Sequence, residues 1–238
     1  MKKSISLLTS VLFIGLIACE KEEIIFNPSS DAFIITKTIE TETEVDTLYG
    51  IALHVFANKP MQNVSVSPDD GTDATFELSA YEGYLYDFYY QTAVEDFSTT
   101  KPFIGDYIFS ISAQSTETET MTDGLLDDFI YPTDTLKCIY DISKDEMNVN
   151  WTKIDDADYI VVNMFNDNDE LVFNGTAFVG SAVKYTFSKT KSGWVNGETP
   201  IDGADYTVEM DAYMYESGLS GLNLQAKAIS VKNVTWGE

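Results

Sequence analysis

The chain has 238 residues, with 39 acidic side chains against 14 lysines and no arginine, giving a net charge of −25. That field repels nucleic acid and anionic headgroups, and without arginine the bidentate clamp for phosphate is missing. Two cysteines and one histidine leave no paired set of soft ligands for zinc. In chain order, Lys2 and Lys3 precede a mostly apolar run from Ile5 to Ile17, and Ala18 supplies a small residue before Cys19. Acidic residues follow at once, so the run cannot extend to the roughly 20 apolar residues of a membrane span. This is the grammar of a cleaved signal peptide over residues 1–18.

The segment Leu16-Ile17-Ala18-Cys19 resembles the lipobox of bacterial lipoproteins. The resemblance implies that Cys19 is acylated, palmitate included, and becomes the mature N-terminus. Several acyl chains give stable anchoring, at roughly 0.8 kcal/mol per buried methylene. With the signal removed, the charge becomes 12 minus 39, or −27. The run Glu20-Lys21-Glu22-Glu23 after the cysteine is similar to the acidic export signal of Bacteroidota surface lipoproteins. It implies an outer-membrane, lipid-anchored protein facing the cell exterior.

After a lipidated tether, residues 19–30, short apolar segments alternate with turn clusters. Strands are expected at Ala32–Ile39, Leu48–Asn58, Val64–Ser67, Ala74–Ala80, Tyr84–Gln91 and Tyr107–Gln114. The stretch Thr120–Pro132, with Gly124 and three aspartates, is expected to be a last loop and linker. Residues 31–132 then form an immunoglobulin-like β-sandwich domain. In the second half, strands are expected at Glu146–Lys153, Tyr159–Asn166, Leu171–Phe173 and Ala182–Ser188. Beyond Gly203, Tyr206, Val208, Met210 and Ala212 share one face, with Glu209 and Asp211 on the other. The expected fold class is all-β, two tandem antiparallel sandwiches behind the signal peptide.

Trp151 followed by Ala157-Asp158-Tyr159, and then Gly203-Ala204-Asp205-Tyr206-Thr207-Val208, resembles a fibronectin type III domain over residues 133–238. The resemblance implies that Trp151 packs in the core and that Tyr206 fixes a corner by hydrogen bonding. An extra loop is expected around Trp194.

No catalytic constellation stands out. His54 sits within an apolar strand, no G-x-S-x-G elbow or phosphate-cradling glycine loop is present, and Cys138 reads as a small buried residue. The acidic stretches Asp123–Asp128, Asp155–Asp158 and Asp167–Glu170 lack the spaced calcium-loop pattern and read as solvated turn carboxylates. No enzyme activity, cofactor or metal is expected. The ligand-side hint is the strand Tyr84–Gln91, where Tyr84, Tyr86, Phe88 and Tyr90 alternate with Leu85, Asp87 and Tyr89. Tyr84, Tyr86, Tyr89 and Tyr90 are therefore candidate contacts for a protein or glycan. The expected role is a non-enzymatic binding or adhesion module. The alternatives are a glycan-binding accessory of a polysaccharide-uptake system and a structural subunit of a surface assembly.

Overall fold

The computed structural model describes residues 24–40, 45–114, 116–216 and 223–238. The signal peptide, Cys19 and the acidic run after it lie outside these residues. Among the described residues the regular structure is all-β, apart from two single 3-10 turns, and no helix is long and apolar enough to cross a membrane.

The first half contains β1 (Pro28–Glu40), β2 (Val45–Ala57), β3 (Met61–Pro68), β4 (Phe76–Tyr81), β5 (Tyr84–Gln91), β6 (Gly105–Ala113) and β7 (Thr118–Leu125). Alternation decides which side chains go inside. On β2, Ile51, Leu53, Val55 and Ala57 enter the core, as do Tyr107, Phe109, Ile111 and Ala113 on β6. The strands pair as β1-β2-β5-β4 and β3-β6-β7, and β4 also pairs with β3 where the sheet turns its corner. This is the ABED/CFG connectivity of an immunoglobulin-like sandwich. Glu82 and Gly83, both at positive φ (49° and 79°), form the tight primed turn between β4 and β5. The stretch expected to be loop from Thr120 is instead the second part of β7, paired with β6 from Ser112↔Thr118 to Gly105↔Leu125. Main-chain pairing at an edge makes this strand, although most of its side chains stay in solvent.

The second half contains β8 (Lys137–Asp141), β9 (Glu146–Asn150), β10 (Tyr159–Asn166), β11 (Leu171–Phe173), β12 (Phe178–Val179), β13 (Lys184–Ser188), β14 (Asp205–Tyr215) and β15 (Leu224–Thr235). A three-stranded sheet β13-β9-β8 faces the run β11-β10-β14-β15. Trp151 is buried between them. The Ile201 N–H donates to the Tyr206 hydroxyl at 3.0 Å, closing the tyrosine corner that the fibronectin-like pattern implied. The Trp194 loop folds back on the core. Its indole N–H donates to the Ser188 carbonyl at 2.9 Å, and its ring meets Phe173 edge-on at 4.8 Å. At Gly180 a Cβ would lie 1.8 Å from the Ala157 carbonyl oxygen, so only glycine fits there.

The two halves share one sheet. β1 pairs in parallel with β15, from Ile34↔Ala226 to Lys37↔Ile229. Eight strands, β11-β10-β14-β15-β1-β2-β5-β4, therefore run side by side. The chain between the halves is tied beneath this seam. Gln225 Nε2 donates to the carbonyls of Leu126 (2.9 Å) and Asp128 (2.8 Å), Thr36 Oγ1 to that of Ile130 (2.8 Å), and the Thr133 N–H to Ser230 Oγ (2.9 Å). A strand in mid-sheet has both faces covered, which explains the unbroken apolar run Ala32-Phe33-Ile34-Ile35. Ala32 and Ile34 join the main core, whereas Phe33 and Ile35 join a small cluster on the other face with Ala52 and Phe97.

Candidate functional site

The face of the eight-stranded sheet turned away from the main core carries an unusual set of side chains. Pleating places Asp31 and Phe33 of β1, His54 of β2, and Asp87 and Tyr89 of β5 on it. Across the seam it continues with Lys227 of β15, Glu209, Asp211 and Tyr213 of β14, and Tyr159 of β10. A depression of about 340 Å³ opens at the seam, walled by Phe33, Tyr81, Tyr89, Tyr159 and Leu224, with Asp31, His54 and Asp87 supplying its polar atoms. Five strand spacings, about 24 Å in a flat sheet, separate the strands of Tyr89 and Tyr159. Both rings line one hollow, so the sheet curls toward this side.

Within the depression His54 Nε2 and Asp87 Oδ1 lie 2.7 Å apart, both side chains about one quarter exposed. Tyr89 stands edge-on to His54 (6.3 Å) and at 90° to Tyr81 (6.3 Å), and its hydroxyl donates to Gln91 Oε1 at 2.7 Å. Both oxygens of Asp31 accept from the Leu224 N–H, at 3.2 and 3.1 Å. Burial pushes the Asp31 carboxyl up to about 8. The Leu224 N–H opposes that shift, and the nearby Asp123 and Glu216 add to it.

Beside the hollow lies a buried charge group. Lys227 Nζ meets Asp211 Oδ2 at 2.9 Å, with the two side chains 13% and 4% exposed. Burial alone would lower the lysine, but Asp211 and Glu209 outweigh it and hold the ammonium above its ordinary range. Burial, then Asp211, pushes the Glu209 carboxyl up to about 7. Tyr159 stacks on Tyr213 at 4.6 Å and 6°, with Tyr215 on from there at 5.4 Å. Burial raises the phenols of Tyr159 and Tyr213 well above their ordinary range, so these rings stay neutral.

Of the four tyrosines expected as ligand contacts, only Tyr89 lines the depression. Tyr90 turns to the core face and packs on Phe76 at 5.0 Å. Tyr84 and Tyr86 pair at 5.2 Å toward the hairpin tip, where Tyr84 is 56% exposed. Alternation assigned these faces correctly. It could not show that Tyr159, Asp31 and His54 would converge with Tyr89, because the parallel seam that unites them has no local sequence signal.

The acidic stretches are tied up elsewhere. Asp123 accepts from the Ala32 N–H, Asp158 from the Tyr215 N–H, Asp127 pairs with Lys101 and Asp155 with Lys153. Among the described residues no group of three or more His, Cys, Asp or Glu is placed to hold a metal ion. The Cys138 thiol is pushed up to about 11 by burial, which keeps it protonated and unreactive at neutral pH. A second hollow, about 390 Å³, lies against the Trp194–Tyr206 loop. It is built by residues that fix the corner.

No known family matches this sequence, and no curated protein is similar to it. Among solved structures, the chain is similar to a cytokine receptor complex at 11% identity and a TM-score of 0.32, covering 87% of this chain and 97% of that one. It is also similar to a two-domain fibronectin type III segment of chicken tenascin, at 13% identity and a TM-score of 0.31, covering 84% and 97%. A third similar structure is dimeric latent PorU from Porphyromonas gingivalis, at 11% identity and a TM-score of 0.28, covering 85% of this chain and 20% of that one.

Proposed function

We propose that this chain is a lipoprotein anchored through Cys19, displayed on the outer face of the outer membrane, and acting there as a non-enzymatic binding or adhesion module. The N-terminal pattern Lys2-Lys3, Ile5–Ile17, Ala18-Cys19 supports the anchor, and the acidic run behind it supports surface display. The observation that carries the binding role is the tyrosine-walled depression across the seam, where aromatic rings and carboxylates converge on one hollow. The residues there suit recognition rather than turnover, since the one imidazole is engaged by Asp87 and no nucleophile lies beside it.

Two experiments test this. Cys19→Ala should move the protein from membranes to the soluble fraction and abolish labelling by radioactive palmitate. A variant that stays with membranes, beside a wild type that takes up no label, removes the anchor from the proposal. Tyr159→Ala should reduce capture of host or neighbouring-cell ligands by whole cells, and unchanged capture would sink the face as the binding surface. A glycan-binding reading has its own observation, the exposed Tyr84 paired with Tyr86, because adjacent rings suit stacking on sugars. Silence on a glycan array, with cell capture intact, would exclude it.

A further inference from the structure

We infer that the seam depression binds an organic cation, a single guanidinium or alkylammonium head, by enclosing it among tyrosine rings next to a carboxylate. This rests on the reading that the outer face of the shared sheet is the ligand surface. The walls supply Tyr81, Tyr89 and Tyr159, whose π-faces carry partial negative charge, and Asp31 and Asp87 supply full or latent negative charge. No lysine lines the hollow, and Asp87 meets His54 through Oδ1 alone. About 340 Å³ accommodates one such head with a few carbons.

The same face already holds cations in this way. On one side of the hollow, Lys37 Nζ lies over the Phe97 ring at 3.9 Å. On the other, Lys227 Nζ sits between Asp211 at 2.9 Å and the Tyr213 ring at 5.7 Å. The depression repeats those ring-and-carboxylate surroundings but encloses no cation of the chain's own. The field of the whole molecule, −25 with no arginine, raises the local concentration of positive ligands and lowers that of anions. Two sources share this chemistry: the arginine or lysine side chain of a partner protein, and a free polyamine.

The test is calorimetric titration of the full chain in detergent with N-acetylarginine amide and its neutral isostere N-acetylcitrulline amide. The arginine compound should bind at least tenfold tighter. Asp87→Asn, which keeps an acceptor for His54, should weaken it at least fivefold. Tyr81→Leu should do likewise, and that half-exposed ring can be removed without opening the core. Asp73→Asn removes one charge outside the hollow and should change affinity less than twofold. Spermidine and the tripeptide acetyl-Gly-Arg-Gly-amide form the source arms. Tighter binding of the peptide assigns a protein partner, and tighter binding of spermidine assigns a free amine. Equal affinity for the arginine and citrulline compounds, or equal losses in Asp87→Asn and Asp73→Asn, overturns the inference. If cell capture still depends on Tyr159 in that case, the binding face stands and only its cation chemistry falls. If capture is indifferent to Tyr159 as well, both fall.

Discussion

Asp31 offers the sharpest test of the seam's energetics. Its carboxyl is 4% exposed and pushed up to about 8 from an ordinary 3.8, chiefly by burial. A carboxyl whose folded value lies above its unfolded value contributes stability that is complete below 3.8 and is lost as pH rises through about 8. Between pH 5 and pH 8 the unfolded chain has released this proton and the folded chain has kept it. Each pH unit therefore costs the wild type about 1.4 kcal/mol, a ceiling of roughly 4 kcal/mol over that window. The side-chain amide of the variant Asp31→Asn cannot ionise and still offers the Leu224 N–H an acceptor. Asp123, also raised by burial, can ionise in place of Asp31 and offset part of the cost, so about 2 kcal/mol should remain. Glu209 titrates in both proteins and cancels. In urea unfolding the variant should match the wild type near pH 5 and exceed it by about 2 kcal/mol at pH 8, a midpoint shift of roughly 1 M. The same difference at both pH values, or a less stable variant at pH 8, would refute a buried, proton-retaining carboxyl at the seam.

Removing the tyrosine corner with Tyr206→Phe strands the Ile201 N–H and should cost about 1 kcal/mol, read as a drop of a few degrees in melting temperature. Lys227→Met leaves Asp211 and Glu209 buried without their cation and should cost about 3 kcal/mol at pH 8. The loss should shrink at pH 5, where Glu209 is protonated; a loss that does not change with pH counts against the coupling. Cys138 should react with iodoacetamide only after denaturation, and rapid stoichiometric labelling of the native protein would contradict its burial. In hydrogen exchange, the amides from Ala226 to Ile229 should be as protected as those of β10, since β15 is an interior strand of the shared sheet; fast exchange there would dissolve the seam.

Much of the architecture was legible where local rules agree. Tyr84–Gln91, Tyr159–Asn166 and Leu171–Phe173 alternate cleanly between turn residues, and each strand has those bounds. β7 was misread because Thr118–Leu125 carries only two large apolar residues; its register comes from β6, not from its own pattern. β15 was not assigned, since lysines and asparagine break its apolar alternation toward the C-terminal end. At the site, Tyr89 followed from alternation, whereas Asp31, His54, Tyr81 and Tyr159 each looked ordinary in their own segments. Their convergence depends on strand neighbours far apart in sequence, and a one-sided polar pattern on β14 gave only half of it. The buried Asp211 shows this well. Sequence placed it on the polar face, but only the neighbouring Lys227 explains how that face closes over it.

The pairing of β1 with β15 also sets the order in which the molecule can be completed. Asp31 and Leu224 are 193 residues apart, so their contact closes nearly the whole chain, at roughly 5 kcal/mol of loop entropy. The first strand to be synthesised waits for the last. Until β15 arrives, one edge of β1 has no partner, and the apolar pair Phe33 and Ile35 lies beside that open edge. A half-made chain therefore has every reason to aggregate and little reason to settle, which favours late, post-synthetic folding of a chain held extended until its final strand is free.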